Sequence, residues 1–221
     1  LGEDLDDWLA YHAIVFGDVP ASMFTPRQIQ IVRELVSEYG KGFCMIGGSR
    51  AFGRGGWAAT PLADVLPVDL ARIDGQIDGD VKVVPTPEGL ADEMLHVQAA
   101  GSDPAAAWRA LGPLPGANRL AGPKPAARVL AATPAGEPLI VAQQYGKGRA
   151  LAIAFDTTWR WVLSPNDTAE TQRRFWRQVA LFLAAPKGNA WIVTDRTSYD
   201  LRRLAAGAEV IEVTAGLEDA T

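Results

Sequence analysis

With 221 residues, 48% of them hydrophobic, the chain can bury the core of one sizeable α/β domain and still carry an appendage. A formal charge of −5 and scattered basic residues argue against a general nucleic-acid surface, which needs clustered lysine and arginine. Cys44 is the only cysteine, which rules out an internal disulfide and a multi-cysteine zinc site, and His12 and His96 are the only histidines, so no metal or cofactor is expected.

Residues 13–19, AIVFGDV, form an apolar run ending in Gly17 and Asp18, as expected of a buried parallel strand that stops at a functional edge. In TPRQIQIVRELVSEYG, Thr25 is the expected N-cap, Pro26 the first helical residue and Gln28 the far side of a capping box, with Gly40 closing the helix. Ile29, Val32, Val36 and Tyr39 give that helix its apolar stripe. GFCMIGG, residues 42–48, returns as a second buried strand, so the segment reads as a right-handed βαβ unit. Residues 60–67, TPLADVLP, repeat the Thr-Pro start of a short helix, and VKVVP at 81–85 reads as a strand.

Residues 99–126, rich in alanine, glycine and proline, read as a surface excursion pinned by Trp108. Strands are expected from 127, 138 and 149, the last two joined across Gly146, Lys147 and Gly148 as a hairpin. A helix follows over about 167–184, with Phe175, Trp176, Val179, Phe182 and Leu183 on or beside its buried face; Pro186 and Gly188 end it. WIVTD from 191 and AEVIEVTAG from 208 are β-like with no helix between them. The expected organisation is therefore an α/β domain over 1–187 and a β-rich extension over 188–221, read as the start of a following module.

Two segments carry the candidate chemistry. In GFCMIGGSRAFGRGGW, residues 42–57, Gly47, Gly48 and Ser49 are expected to present backbone N–H groups and a hydroxyl at the carboxyl edge of the sheet, with Arg50 and Arg54 adding an anionic preference. The tight turn alone explains the glycines equally well. The loop lacks the Gly-Lys-Ser/Thr ending of a phosphate-binding loop, and Gly53, Gly55 and Gly56 have the wrong spacing for a dinucleotide fingerprint. A nucleophilic serine needs a base within hydrogen-bond reach. His12 falls at the wrong end of its strand and His96 reads as structural; Cys44 lies inside its strand as a packing residue. In AIAFDTTWRW, residues 152–161, Asp156, Thr157 and Thr158 should emerge at a sheet edge. Asp156 is placed to orient a ligand, to accept from Ser49 or Arg50, or to cap the next turn. Trp159 and Trp161 are a stacking platform or, as favoured here, core.

Together these segments resemble the class I glutamine amidotransferase-like superfamily, and more closely the amidotransferase-like domain of large bacterial membrane-anchored proteins that also carry a von Willebrand factor type A domain. The matching pieces are FGDVPASMFTPRQ, GFCMIGGSRAFGRGGWAATPLADVLPV, VVPTPEG, KPAARVLA, PLIVAQQYGKGRALAIAFDTTWRW and FWRQVALFLA, over roughly residues 8–185. The resemblance implies a flavodoxin-like three-layer sandwich with a mostly parallel sheet, followed by β-rich sequence. Active members place a cysteine in a Gly-x-Cys-x-Gly elbow and a His-x-Glu pair after a late strand. Here Ser49 stands at the cysteine position, and Asp156 and Thr158 stand at the histidine and glutamate positions.

No catalytic residue is therefore assigned. The resemblance implies a pseudo-enzyme, a ligand-binding or protein-interaction module of a larger envelope-associated protein. Its candidate binding residues are Asp18, Gly47, Gly48, Ser49, Arg50, Asp156, Thr157 and Trp159, and its partner is a small polar ligand or a protein. The alternative is a serine-dependent hydrolase or amidotransferase using Ser49 with Asp156 or His96. The longest apolar runs fall short of the ~20 residues a bilayer requires and the first residues lack a basic signal-peptide start, so this fragment is expected to be soluble. A membrane anchor elsewhere in a parent protein, on either side of the membrane, stays open.

Overall fold

In the computed structural model the described residues are 2–70, 75–99, 101–164, 168–184, 190–194 and 213–217. A single helical turn, α1 (Asp6–Leu9), buries Trp8 and leads into strand β1 (Ala13–Gly17). Helix α2 (Pro26–Ser37) starts where its cap chemistry says it should. Thr25 Oγ1 accepts from the Gln28 N–H at 3.3 Å, and Gln28 Oε1 accepts from the Thr25 N–H at 3.0 Å. Ile29, Ile31, Val32, Leu35 and Val36 are its buried stripe. Tyr39 is not part of that stripe: the helix stops at Ser37, and the ring is exposed beyond it.

Strand β2 (Gly42–Ile46) pairs in parallel with β1, which completes the βαβ unit, and the short helix α3 (Leu62–Val65) follows. The expected strand at 81–85 divides between two elements. Val81 ends β3 (Gly75–Val81), whereas β4 (Val84–Pro85) joins the main sheet at its edge, where a residue without an N–H is tolerated. Helix α4 (Pro87–Ala91) is capped by Thr86, whose hydroxyl accepts from the Gly89 N–H at 3.0 Å.

Residues 101–126 are more regular than the excursion expected from their composition. Asp103 caps helix α5 (Pro104–Ala110) by accepting from the Ala105 N–H at 2.9 Å, and β5 (Leu114–Arg119) pairs antiparallel with β3 in a separate two-stranded sheet. Trp108 is the pin: it is buried, and its indole Nε1 donates to Leu95 O at 2.9 Å.

The remaining elements of this unit are β6 (Arg128–Ala132), β7 (Pro138–Tyr145), β8 (Gly148–Ile153), α6 (Trp159–Val162) and α7 (Ala169–Ala184). Among the described residues the main sheet has six strands in the order β1-β2-β8-β7-β6-β4. The pairs β1–β2 and β2–β8 are parallel, and those from β8 onward are antiparallel, so β1, β2, β8 and β6 all run the same way. Successive residues of a strand face opposite sides. At the start of β8, Arg149 donates to Phe182 O of α7 at 3.0 Å, while the space a Cβ at Gly148 would need is filled by Val36 of α2. The two helices thus cover opposite faces, giving a three-layer α/β sandwich of the flavodoxin-like kind. Phe43, Cys44 and Met45 of β2 and the run from Ala150 to Phe155 are buried between them.

The chain separates into two compact units, residues 1–185 and 186–221. The second contains β9 (Ala190–Thr194) paired antiparallel with β10 (Val213–Leu217). Pro186 and Gly188, expected to end the preceding helix, and residues 208–212 of the expected second strand lie outside the described residues. Among the described residues no helix is long and apolar enough to cross a membrane.

Candidate functional site

The parallel strands β1, β2 and β8 bring Asp18, the loop from Gly47 and the segment from Ala154 to one edge of the sheet. The Gly47 N–H donates to Ile153 O at 2.7 Å, carrying the ladder one residue past β2. There a side chain from β5 enters. Asn118, 3% exposed, accepts from the Gly48 N–H at 2.7 Å and donates its own amide to Gly48 O at 3.0 Å, while its backbone N–H donates to Ala154 O at 2.7 Å. A Cβ at Gly47 would strike Ala154 O and the Asn118 amide. A Cβ at Gly48, whose φ is +144°, would strike the Asp18 carboxylate. Both glycines are required by close approach, not only by the turn.

Asp18 itself takes the left-handed conformation, with φ at 45°. Its Oδ1 accepts from the Arg50 backbone N–H at 2.6 Å, and its Oδ2 lies 3.9 Å from the Arg50 Nε. The side-chain pair is solvent-exposed and contributes little by itself. Donation of the Arg50 backbone N–H to a carboxylate is the stronger contact. The N–H groups of Gly47, Gly48 and Arg50 are therefore spent inside the protein. This corrects the expectation that Gly47 and Gly48 offer donors to a ligand. Ser49 is exposed at the tip of the turn.

The rest of the glycine-rich loop folds back onto the core through two 3-10 turns, Phe52–Gly55 and Trp57–Ala59. Trp57 is buried against Phe16 and Phe24, and its Nε1 donates to Val19 O at 2.9 Å. Gly53, Gly55 and Gly56 thus serve the turn.

The second segment stands apart. Asp156 is exposed and makes no hydrogen bond or ion pair with Ser49 or Arg50 among the described residues; the carboxylate beside Arg50 is that of Asp18. Thr157 is half-buried, with its Oγ1 enclosed and without a partner among the described residues. Thr158 is buried and accepts from the Trp176 indole at 3.0 Å, a packing role. The two tryptophans divide: Trp161 is 1% exposed and donates to Gly112 O, whereas Trp159 is 52% exposed. The structure thus brings Asp18, Gly47, Gly48 and Arg50 together at the elbow, with Asp18 bonded to Arg50 and Gly48 to Asn118, and leaves Asp156, Thr157 and Trp159 without a bond to any of them.

Neither histidine reaches the elbow serine. The His12 carbonyl accepts from the Gly42 N–H, which places this residue at the opposite, amino-terminal end of the strands. His96 holds Leu90 O with Nε2 at 3.1 Å and lines a pocket formed with α7. Cys44 is fully buried in β2, and burial pushes its thiol far above the ordinary range, which leaves it unreactive. Among the described residues no three His, Cys, Asp or Glu side chains are grouped to hold a metal. Asn118 is the residue that sequence reasoning missed; nothing in LPGANR signals a contact made 70 residues away.

Residues 6–185 match the model of a family described as "Putative glutamine amidotransferase". Comparison with curated proteins finds no match. Among solved structures, a cytoplasmic protein of Salmonella typhimurium LT2 is 26% identical with a TM-score of 0.63, over 83% of this chain and 76% of that one. A second Salmonella typhimurium cytoplasmic protein, 20% identical, has a TM-score of 0.65 over the same shares of the two chains and is similar in fold. With the elbow, the sheet order and the family match coinciding over the first unit, this chain belongs to the glutamine amidotransferase-like family across residues 6–185.

Proposed function

We propose that this domain is a non-catalytic member of its family, a binding module of a larger bacterial envelope protein. The observation that carries the reading is the 2.6 Å bond from the Arg50 N–H to Asp18 Oδ1. In a nucleophile elbow the N–H of the residue after the nucleophile stabilises the oxyanion that forms on attack. Arg50 follows Ser49, and its N–H already faces a carboxylate. Negative charge developing there would meet a fixed negative charge instead of a free donor.

Ser49 also lacks an imidazole, and its alcohol needs a base to become a nucleophile. What remains at this edge is an exposed hydroxyl, guanidinium, carboxylate and indole on Ser49, Arg50, Asp156 and Trp159. These groups suit recognition of a polar ligand or a partner segment. The resemblance to domains of membrane-anchored proteins with a von Willebrand factor type A module supports an envelope setting. The second unit, on this reading, begins the next module.

A serine-reactive fluorophosphonate discriminates this from a serine hydrolase. The expected result is no labelling of Ser49 in the native protein. Stoichiometric labelling that disappears in Ser49→Ala contradicts the proposal.

A further inference from the structure

Away from the elbow, the 3-10 turn Glu93–Leu95 packs on α7, and the residues just after it close a polar pocket against the helix. His96, Gln98, Arg174, Arg177 and Gln178 line a cavity of about 280 Å³. Arg174, Arg177 and Gln178 sit three and four residues apart, so they share one face of α7. Gln178 Nε2 donates to His96 O at 3.3 Å and ties the two walls together.

Charge in this pocket is not balanced from within. Glu170 is shared between Arg173 and Arg174, at 3.0 and 3.2 Å, and Arg177 has no ionic partner among the described residues. The Arg174 contact uses Nε, which leaves its terminal nitrogens for another acceptor. His96 donates through Nε2 to Leu90 O, so its ring carries Nδ1 as the atom with remaining capacity. Gln98 presents the opposite need: its Oε1 is enclosed and has no hydrogen-bond partner among the described residues. A buried carbonyl left in that state is unfavourable until a donor reaches it.

We infer that this pocket binds a small carboxylate that also carries a hydroxyl or amino donor. The guanidinium groups of Arg174 and Arg177 match a carboxylate through paired N–H donors. The hydroxyl or amino hydrogen of the same ligand supplies what Gln98 Oε1 lacks. The volume accommodates a metabolite of few heavy atoms. The site shares no residue with the elbow and stands whether or not Ser49 is inert.

L-Malate is the probe, with succinate, which lacks the hydroxyl, and inorganic phosphate as comparisons at matched ionic strength. The readout is the side-chain amide resonances of Gln98 and Gln178 in ¹⁵N-labelled protein. Malate at up to tens of millimolar is expected to shift both saturably. Arg177→Gln, an exposed position that leaves the fold intact, should weaken malate roughly tenfold through loss of one charge-assisted contact, and Arg54→Gln in the glycine-rich loop should change nothing. Absence of a saturable shift, or equal weakening by Arg54→Gln, overturns the site. Succinate or phosphate binding as tightly as malate overturns the assignment of a hydroxyl- or amino-bearing carboxylate.

Discussion

Replacing Asn118 by alanine is expected to lower the stability of the first unit by about 2–4 kcal/mol, because the partly buried Gly48 N–H loses its partner and Gly48 O keeps only the long 3.5 Å contact from the Ala51 N–H. The Asn118 amide is the only described side chain bonded to both the N–H and the C=O of that residue, at 2.7 and 3.0 Å. It also fixes the spacing between β5 and the elbow, since its backbone N–H is bonded to Ala154 O. In a unit of this length each kcal/mol moves Tm by about 2–4 °C, so calorimetry should show a fall of roughly 5–15 °C. Asn118→Asp should be no milder. It keeps an acceptor for the Gly48 N–H but turns a second acceptor toward Gly48 O and buries a charge. A fall of less than about 2 °C in Asn118→Ala would mean that the elbow holds its shape without this clamp.

Trp108→Ala should be the more damaging change, at about 3–5 kcal/mol, the range for removing a large aromatic from a core. The Trp108 ring meets Trp161 and Phe175 edge-on, with centroids 6.2 and 5.9 Å apart. Its indole bond to Leu95 O is answered by that of Trp161 to Gly112 O, so α5 and the main core are stitched from both sides. Trp108→Phe keeps much of the ring contact but loses the indole bond to Leu95 O, which is left with the Val97 N–H at 3.0 Å, and should fall between wild type and alanine. Thermal melts monitored by near-UV circular dichroism separate the three. Equal melting of all three proteins would show that residues 101–126 lie outside the cooperative unit.

These two residues also mark where sequence reading succeeds and stops. Local chemistry was legible: the Thr25–Gln28 box, the Pro26 start and the turn at Gly146 to Gly148 each act within a few residues, and the structure places α2 and the β7–β8 hairpin there. The elbow was legible in position, since a strand that ends in two glycines at a sheet edge has few alternatives. Its state was not. Asp18 reaches Arg50 across 32 residues and Asn118 reaches Gly48 across 70, and neither contact leaves a local pattern. The α5 and β5 elements were hidden for a related reason. Alanine, glycine and proline dominate their composition, while β5 finds its partner in β3, some 40 residues earlier in the chain. Trp159 and Trp161 looked alike in sequence, yet two residues on a single helical turn face different ways, and only one enters the core.

Ammonia release from L-glutamine measures the elbow's chemistry most directly, comparing the native protein with Ser49→Ala and Ser49→Cys. A carboxylate already seated on the Arg50 N–H, with no imidazole beside residue 49, gives no release above a protein-free control in any of the three, the cysteine variant included. Release by the native protein that disappears in Ser49→Ala contradicts a non-catalytic elbow.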